Sequence, residues 1–420
     1  SIPRPKDEVV PPTIMPRQDK NKKQAKEILI ENVVSPILSL PQPKPISPIY
    51  ENDKVEEKNF SFSYMGTTCE VRLPKDLNIR MSGCESCMIA TIWKQLATNA
   101  MDNTIRDFLA LRLKMQLCDW AYLNLIDTFA KAFCGHGNEA VIMAAFIYSQ
   151  SGYKMRLGRD CEKLYLLYGS KHGIYEKGYI VIEGINYYPL DDKVERMEIS
   201  DFSFPQEQSM SLYIENAQKF TIRPSAIRKL ASEQYHDVAI DSQVNLNLIQ
   251  FYNTYPSSEV NGNFMTCWKM YADTPMDESV SQMLYPDIKN KIEGLSDVQA
   301  VNQILNWVQT AFQYEYDDKV WGHDRAFFAE ETLYYPYCDC EDRAILFTRL
   351  VRDLLGLKCI LVYYPGHLAS AVCLKQQVNG DYISLDGDVY TICDPTYIGA
   401  PVGITMPEMD NRSAKVIKLL

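Results

Sequence analysis

The chain contains no apolar run of the roughly eighteen residues that a membrane-spanning helix requires, so nothing in it reads as a bilayer span. It also lacks a surplus of positive charge. Its 43 Lys and Arg stand against 54 Asp and Glu, a net charge of −11. That balance excludes a nucleic-acid partner and argues against docking on anionic lipid. The longest basic cluster, Lys20, Lys22, Lys23 and Lys26, is short and lies in a tail. No loop of EF-hand type occurs, so calcium dependence is not supported, and no cofactor or metal is expected. The 12 cysteines in 420 residues do not make a disulfide scaffold. Cys359, Cys373 and Cys393 sit in apolar runs and read as small buried hydrophobes. Cys84 and Cys87 form a CxxC with no second CxxC or His pair at zinc-finger spacing. That pair stays open between unpaired thiols, an oxidised pair in an exported protein, and a metal site. The first methionine is Met15, so Ser1 is not read as a native start, and an anchor or signal removed ahead of it fits the sequence.

What is present begins with proline. Ten of the 22 prolines fall between Pro3 and Pro48, mixed with Lys, Glu, Gln and Ser. Such a segment is stiff and has too little apolar surface to fold on its own. Residues 1–58 therefore read as an extended Pro-rich tether, expected to be a disordered leader. Its apolar patch, Ile28, Leu29, Ile30, Val33 and Val34, offers the other reading, docking on a partner or on the body. The tether and the unusual start favour an exported, periplasmic or envelope-associated protein of bacterial type.

The rest of the chain contains one unit twice. TIWKQLATNAMD (91–102) and TCWKMYADTPMD (266–277) share Thr, Trp, Lys, Ala, Met and Asp. LCDWAYLNLIDTFAKAF (117–133) resembles LSDVQAVNQILNWVQTAF (295–312), each with the spacing of an amphipathic helix. FCGHGNEAVIMAAFIYSQSGYKMRL (133–157) matches YCDCEDRAILFTRLVRDLLGLKCIL (337–361), and GYIVIEGINYYPLDD (178–192) matches DYISLDGDVYTICDP (381–395). Four matched blocks in one order imply a duplication. The expected domains are 59–215 and 216–420.

Each copy predicts the same layout. Met-Asp marks a helix start, with Asp102 and Asp277 as N-caps. A second amphipathic helix follows, and then a long helix over about 136–151 or 340–355, closed by Gly152 or Gly356. Alternating segments such as KCILVYYP, HLASAVCL, DYISLD and VYTICD then read as antiparallel strands. A long helix on an antiparallel sheet is an α+β architecture.

The second copy carries the reactive groups. Cys340 opens the long helix, where unpaired N–H groups favour thiolate over thiol. His367 opens a strand 27 residues later, placed to move the thiol proton, and Asp394 ends a strand 27 residues beyond, placed to orient the imidazole. CDCEDRAILFTRLVRDLLG, YPGHLASAV and YTICDPTY resemble the transglutaminase-like superfamily of bacterial cysteine hydrolases and acyl transferases. FAEETLYYPYCDC also resembles the approach to the nucleophile in that superfamily, and the likeness covers about 295–405. It implies two tandem transglutaminase/papain-like domains, with Cys340 as nucleophile, His367 as general base and acid, and Asp394 as its orienter. Cys338 stands where many relatives have Gly; spacing against the helix selects Cys340.

In the first copy, His136 falls opposite Cys340, Leu164 opposite His367, and Asp191 opposite Asp394. This reads as a pseudo-catalytic unit; the other reading re-uses Cys134, His136 and Asp191 as metal ligands. For the active copy the expectation is hydrolysis of a protein or peptide amide through a thioester. Acyl transfer to a lysine, or a non-catalytic scaffold of two recognition modules, are the alternatives. The backbone N–H of Cys340 is the expected oxyanion donor. The insert 313–337, with Tyr314, Tyr316, Trp321 and His323, reads either as cleft lining or as packing.

Overall fold

A computed structural model describes residues 16–18, 26–35, 41–49, 57–191 and 196–420. The architecture is mixed α+β, as the patterning predicts. No helix among the described residues is long and apolar enough to cross a membrane. The chain divides into two compact units. An N-terminal unit comprises the described parts of Ser39–Thr221 with Tyr255–Gly262, and a C-terminal unit those of Ser1–Leu38 with Ile222–Thr254 and Asn263–Leu420.

That division departs from the expected boundaries in two places. Residues 255–262 belong with the N-terminal unit because Ser258 and Glu259 pair with Ile174 and Gly173 there. The tether is not one detached leader either. Its residues 26–35 join the C-terminal unit and 41–49 the N-terminal one, where Ile46 N–H bonds Gln150 O. Residues 16–18 also join the C-terminal unit, where Gln18 N–H bonds Ile398 O at 3.0 Å, and tether residues 1–15, 19–25, 36–40 and 50–56 lie outside the described ones.

In the C-terminal unit a six-stranded sheet runs in the order Val33–Val34, Lys415–Lys418, Cys359–Tyr364, His367–Val372, Asp388–Cys393, Tyr382–Leu385. Within this sheet the strand pairings are antiparallel except at Val33–Val34, which adds in parallel. Side-chain alternation sorts the sheet into two faces. Cys359, Val372 and Cys393 meet the helix Cys340–Leu355 through Leu346, Phe347, Leu350 and Val351, and the helix Asp297–Thr310 packs behind. Ile360, Val362, Ala369, Ala371, Ile383 and Ile392 point the other way and are covered by Ile28.

The apolar patch of the tether is thus a strap across the sheet. At one edge Ile28 N–H bonds Tyr382 O at 2.8 Å and Tyr382 N–H bonds Lys26 O at 3.0 Å. At the other, Val33 and Val34 pair with Val416 and Ile417. Between the edges Ile28 is only 2% exposed, a burial that contributes about 1.5–3 kcal/mol. The aliphatic patch covers sheet surface that would otherwise face water.

The N-terminal unit repeats the plan with a five-stranded sheet: Ile180–Ile182, Ile185–Pro189, Lys163–Ser170, Met155–Asp160, Glu198–Ile199. Its long helix is Asn138–Gln150, two residues shorter at its start than the match to Cys340–Leu355 predicts. The terminal hairpins share one register. Ile180 faces Tyr187 as Ile383 faces Tyr390, and the turns Glu183–Gly184 and Asp386–Gly387 both have positive φ at both residues. Of the two predicted N-caps, Asp277 accepts Val280 N–H at 3.3 Å, whereas Asp102 lies inside the first turn of the helix Asn99–Lys114. An acid there still suits the helix dipole, so the sequence signal is the same.

Candidate functional site

His367 and Asp394 meet in the C-terminal unit, and Cys340 begins a helix that packs against the strand His367 opens. Cys340 is the first residue of its helix, behind Asp339 as N-cap, and Asp342 reaches back to Asp339 N–H at 3.0 Å. Gly356, with φ +64°, ends the helix in the left-handed conformation that glycine adopts without Cβ strain. His367 opens a wholly buried strand. Its Nε2 lies 2.8 Å from Oδ2 of Asp394. The other carboxylate oxygen of Asp394 accepts the N–H groups of Thr396 at 2.9 Å and Tyr397 at 3.2 Å. Tyr364 lies nearly parallel to the imidazole, at 6.4 Å between centroids. The backbone N–H of Leu368, next to His367, favours the ionised form of the Cys340 sulfur.

The electrostatics differ from the sequence expectation for the nucleophile. Burial first, then the charges of Glu341 and Asp339, push the Cys340 thiol well above its ordinary range, and the Leu368 N–H only partly opposes them. Glu341 Oε2 also accepts the thiol hydrogen at 3.4 Å. The acids that favour the helix N-terminus therefore outweigh the dipole at the sulfur. For His367, burial disfavours the charged ring, but the charge and hydrogen bond of Asp394, with Glu341 beyond, raise its pKa overall. Asp317 is pushed up to about 7, by burial first, with Glu341 and Asp324 adding and the Arg325 N–H opposing.

Those acids form two sets whose ligand atoms lie within 4.8 Å of one another: Asp339 with Cys340 and Glu341, and Asp317 with Asp324 and Glu341. They are the residues among those described that could hold a cation. A cation in the first set would occupy the Cys340 sulfur.

Several positioning residues escaped the sequence reading. Gln309, in the last turn of its helix, donates Nε2 to the carbonyls of Asp394, Tyr397 and Ala400, each at 3.0 Å, and so holds the Asp394 loop. Arg343, one turn after Cys340, donates to Gln309 O and Phe312 O at 2.8 Å each, fixing the two helices together. Ser370 ties the His367 strand to Cys393 O at 2.7 Å. The available signal was a polar residue at a core-facing position of an apolar helix, for Gln309 and Arg343 alike. Cys338, by contrast, is buried and accepts Arg343 Nε at 3.5 Å.

The insert divides between the two readings. Trp321 packs with Phe327, Tyr335 and the Arg325 guanidinium. Tyr314 pairs with Cys338 and lies beside the site, its phenol pushed up by burial and then by Cys340 and Asp339. Tyr316 is largely exposed and His323 exposed.

The described residues of the N-terminal unit hold no such constellation. Its strand register corrects one match: pairing of Met155 with Tyr168 and of Cys359 with Val372 puts Lys163, not Leu164, opposite His367. A one-residue difference in the following connection misplaced the count. His136 is exposed, and Asp191 pairs with Lys131 at 3.3 Å. Leu164 N–H, the counterpart of Leu368 N–H, bonds Asn138 Oδ1 at 2.9 Å. Cys134, His136 and Asp191 form no ligand group among the described residues. Cys84 donates to Cys161 O at 3.1 Å, and all 12 cysteines are free.

No protein-family model, curated protein or solved structure matches this chain.

Proposed function

We propose that the chain is a cysteine-nucleophile hydrolase of the transglutaminase-like type, acting on a protein or peptide amide. The observation that carries this reading is the buried His367–Asp394 pair at 2.8 Å, on a strand packed against the helix that Cys340 begins. Because Asp394 engages Nε2, Nδ1 is the ring nitrogen left to take the thiol proton. The sulfur attacks the carbonyl carbon, forming a C–S bond and an oxyanion that the Cys340 N–H serves. Collapse breaks the C–N bond, and the leaving amine takes its proton from Nδ1. Water then attacks the thioester, releasing the acid and restoring the thiol. The raised thiol pKa couples proton transfer to attack, in place of a resting thiolate.

In the same reading the N-terminal unit is a degenerate copy, with His136, Lys163 and Asp191 where the reactive groups would stand. That unit also favours the alternative, a scaffold of two recognition modules. Profiling the wild type and Cys340→Ala against peptide libraries, with mass-spectrometric capture of the acyl-enzyme, decides between them. Cys340-dependent cleavage is expected. A lysine-linked product would mean acyl transfer, and no Cys340-dependent product of either kind would sink the enzymatic reading.

A further inference from the structure

The two units treat one strand edge differently. A hairpin with a two-residue turn closes on a hydrogen-bonded pair, so alternate residues beyond it turn N–H and C=O outward. In the C-terminal unit Leu385 and Asp388 close the hairpin, which makes Ser384 and Tyr382 the outward residues. Tyr382 uses both groups, to Lys26 O and from Ile28 N–H, and the strap adds there as a parallel strand. Beneath it Ile383 is wholly buried, packed with Ile28 and Tyr390.

The matching hairpin of the N-terminal unit closes on Ile182 and Ile185. Val181 and Tyr179 are then the outward residues, and they are 58% and 54% exposed. Ile180–Ile182 is the terminal strand of its sheet, with no strand on its outer side among the described residues. Ile180, the counterpart of Ile383, is only half-buried. The edge has the strap site's register, with Ile180 half-buried and Val181 exposed, while Tyr187 is already covered by the Arg156 guanidinium at 5.0 Å. An unpaired edge of this kind accepts an added strand.

We propose that Ile180–Ile182 is a docking edge for an extended segment of a partner protein, which adds as a parallel strand. The segment has the chemistry of Lys26–Ile30, with a branched aliphatic residue over Ile180 as Ile28 lies over Ile383. The proposal does not depend on catalysis.

The probe is a fluorescent synthetic peptide of residues 26–34, titrated into the full chain and into Val181→Pro. Proline there removes an outward N–H but spares the bonds of Ile180 and Ile182 to their partners. Saturable binding, weakened about tenfold or more by Val181→Pro at unchanged melting temperature, is the expected result. Protection of the Val181 amide from hydrogen exchange on adding peptide to the wild type supports the same site without any variant. Binding that persists in Val181→Pro and is lost in Tyr382→Pro would mean strap displacement and overturn the proposal, as would no saturable binding. Self-association of the chain that Val181→Pro abolishes would assign the edge to a second copy and overturn the partner assignment.

Discussion

His367 Nε2 lies 2.8 Å from Oδ2 of Asp394, and the other oxygen of that carboxylate is held by two backbone N–H groups. Asp394 therefore has one orientation, and it sets the tautomer of His367. Replacing Asp394 with Asn removes the charge that raises the imidazole pKa, so the ring's titration shifts downward in an NMR pH series. Turnover on any substrate found by profiling is expected to fall about 10²–10⁴-fold. The stability linkage has a definite sign. A raised folded-state pKa stabilises the fold below the unfolded value of about 6.5, and the contribution is lost as pH rises through the folded value. The melting-temperature gap between wild type and Asp394→Asn should thus be wider near pH 6 than at alkaline pH.

Glu341 acts on the thiol in the opposite sense. It accepts the thiol hydrogen and places negative charge beside the sulfur. Glu341→Gln removes that charge, and the Cys340 pKa should fall. A shift of one unit gives about tenfold faster alkylation at neutral pH. The check is the pH profile of iodoacetamide labelling at Cys340, read by peptide mass spectrometry. An unchanged profile would mean that burial and Asp339 raise the thiol without Glu341.

The hairpins and the long helices were legible in the sequence, because periodicity and local turn chemistry dictate them. Gly356 and the paired turns at Glu183–Gly184 and Asp386–Gly387 are examples: each needs a backbone conformation that few residues supply. Long-range choices were not legible. Ile28 looks like any aliphatic residue in a Pro-rich tail until the sheet face it covers exists. The thiol's environment was misread because a helix N-terminus is a local signal, whereas burial and the orientation of Glu341 depend on the folded chain. Lys163 was missed because a single-residue gap is invisible to a match that counts from one side.

Gln309 should separate positioning from chemistry. Its amide serves three carbonyls of the Asp394 loop, and Gly399 N–H bonds its Oε1 at 3.1 Å. Gln309→Leu keeps the bulk and leaves those groups unsatisfied, at a cost of about 1–3 kcal/mol in denaturant unfolding. If the loop positions Asp394, the same variant should also lower the His367 pKa. Loss of stability with an unmoved imidazole titration would confine Gln309 to a structural role.

The strap gives the last test, because its contribution comes from one buried side chain and a few edge hydrogen bonds. Ile28 is buried against Ile383 and Tyr390, on the sheet face opposite the Cys340 helix. Ile28→Ala leaves a cavity and should destabilise strap docking by about 2–4 kcal/mol, within the range for large-to-small core changes. Ile28→Asp should detach the strap altogether, since an unpaired carboxylate would have to be buried. The amide of Tyr382, bonded to Lys26 O, reports on docking directly. Its hydrogen exchange should accelerate in both variants, and more in Ile28→Asp. The amides of the central strand His367–Val372 should stay protected, because that strand is paired on both sides by Cys359–Tyr364 and Asp388–Cys393. If His367–Val372 loses protection together with Tyr382, the strap is part of the cooperative core and not a covering added to a finished sheet.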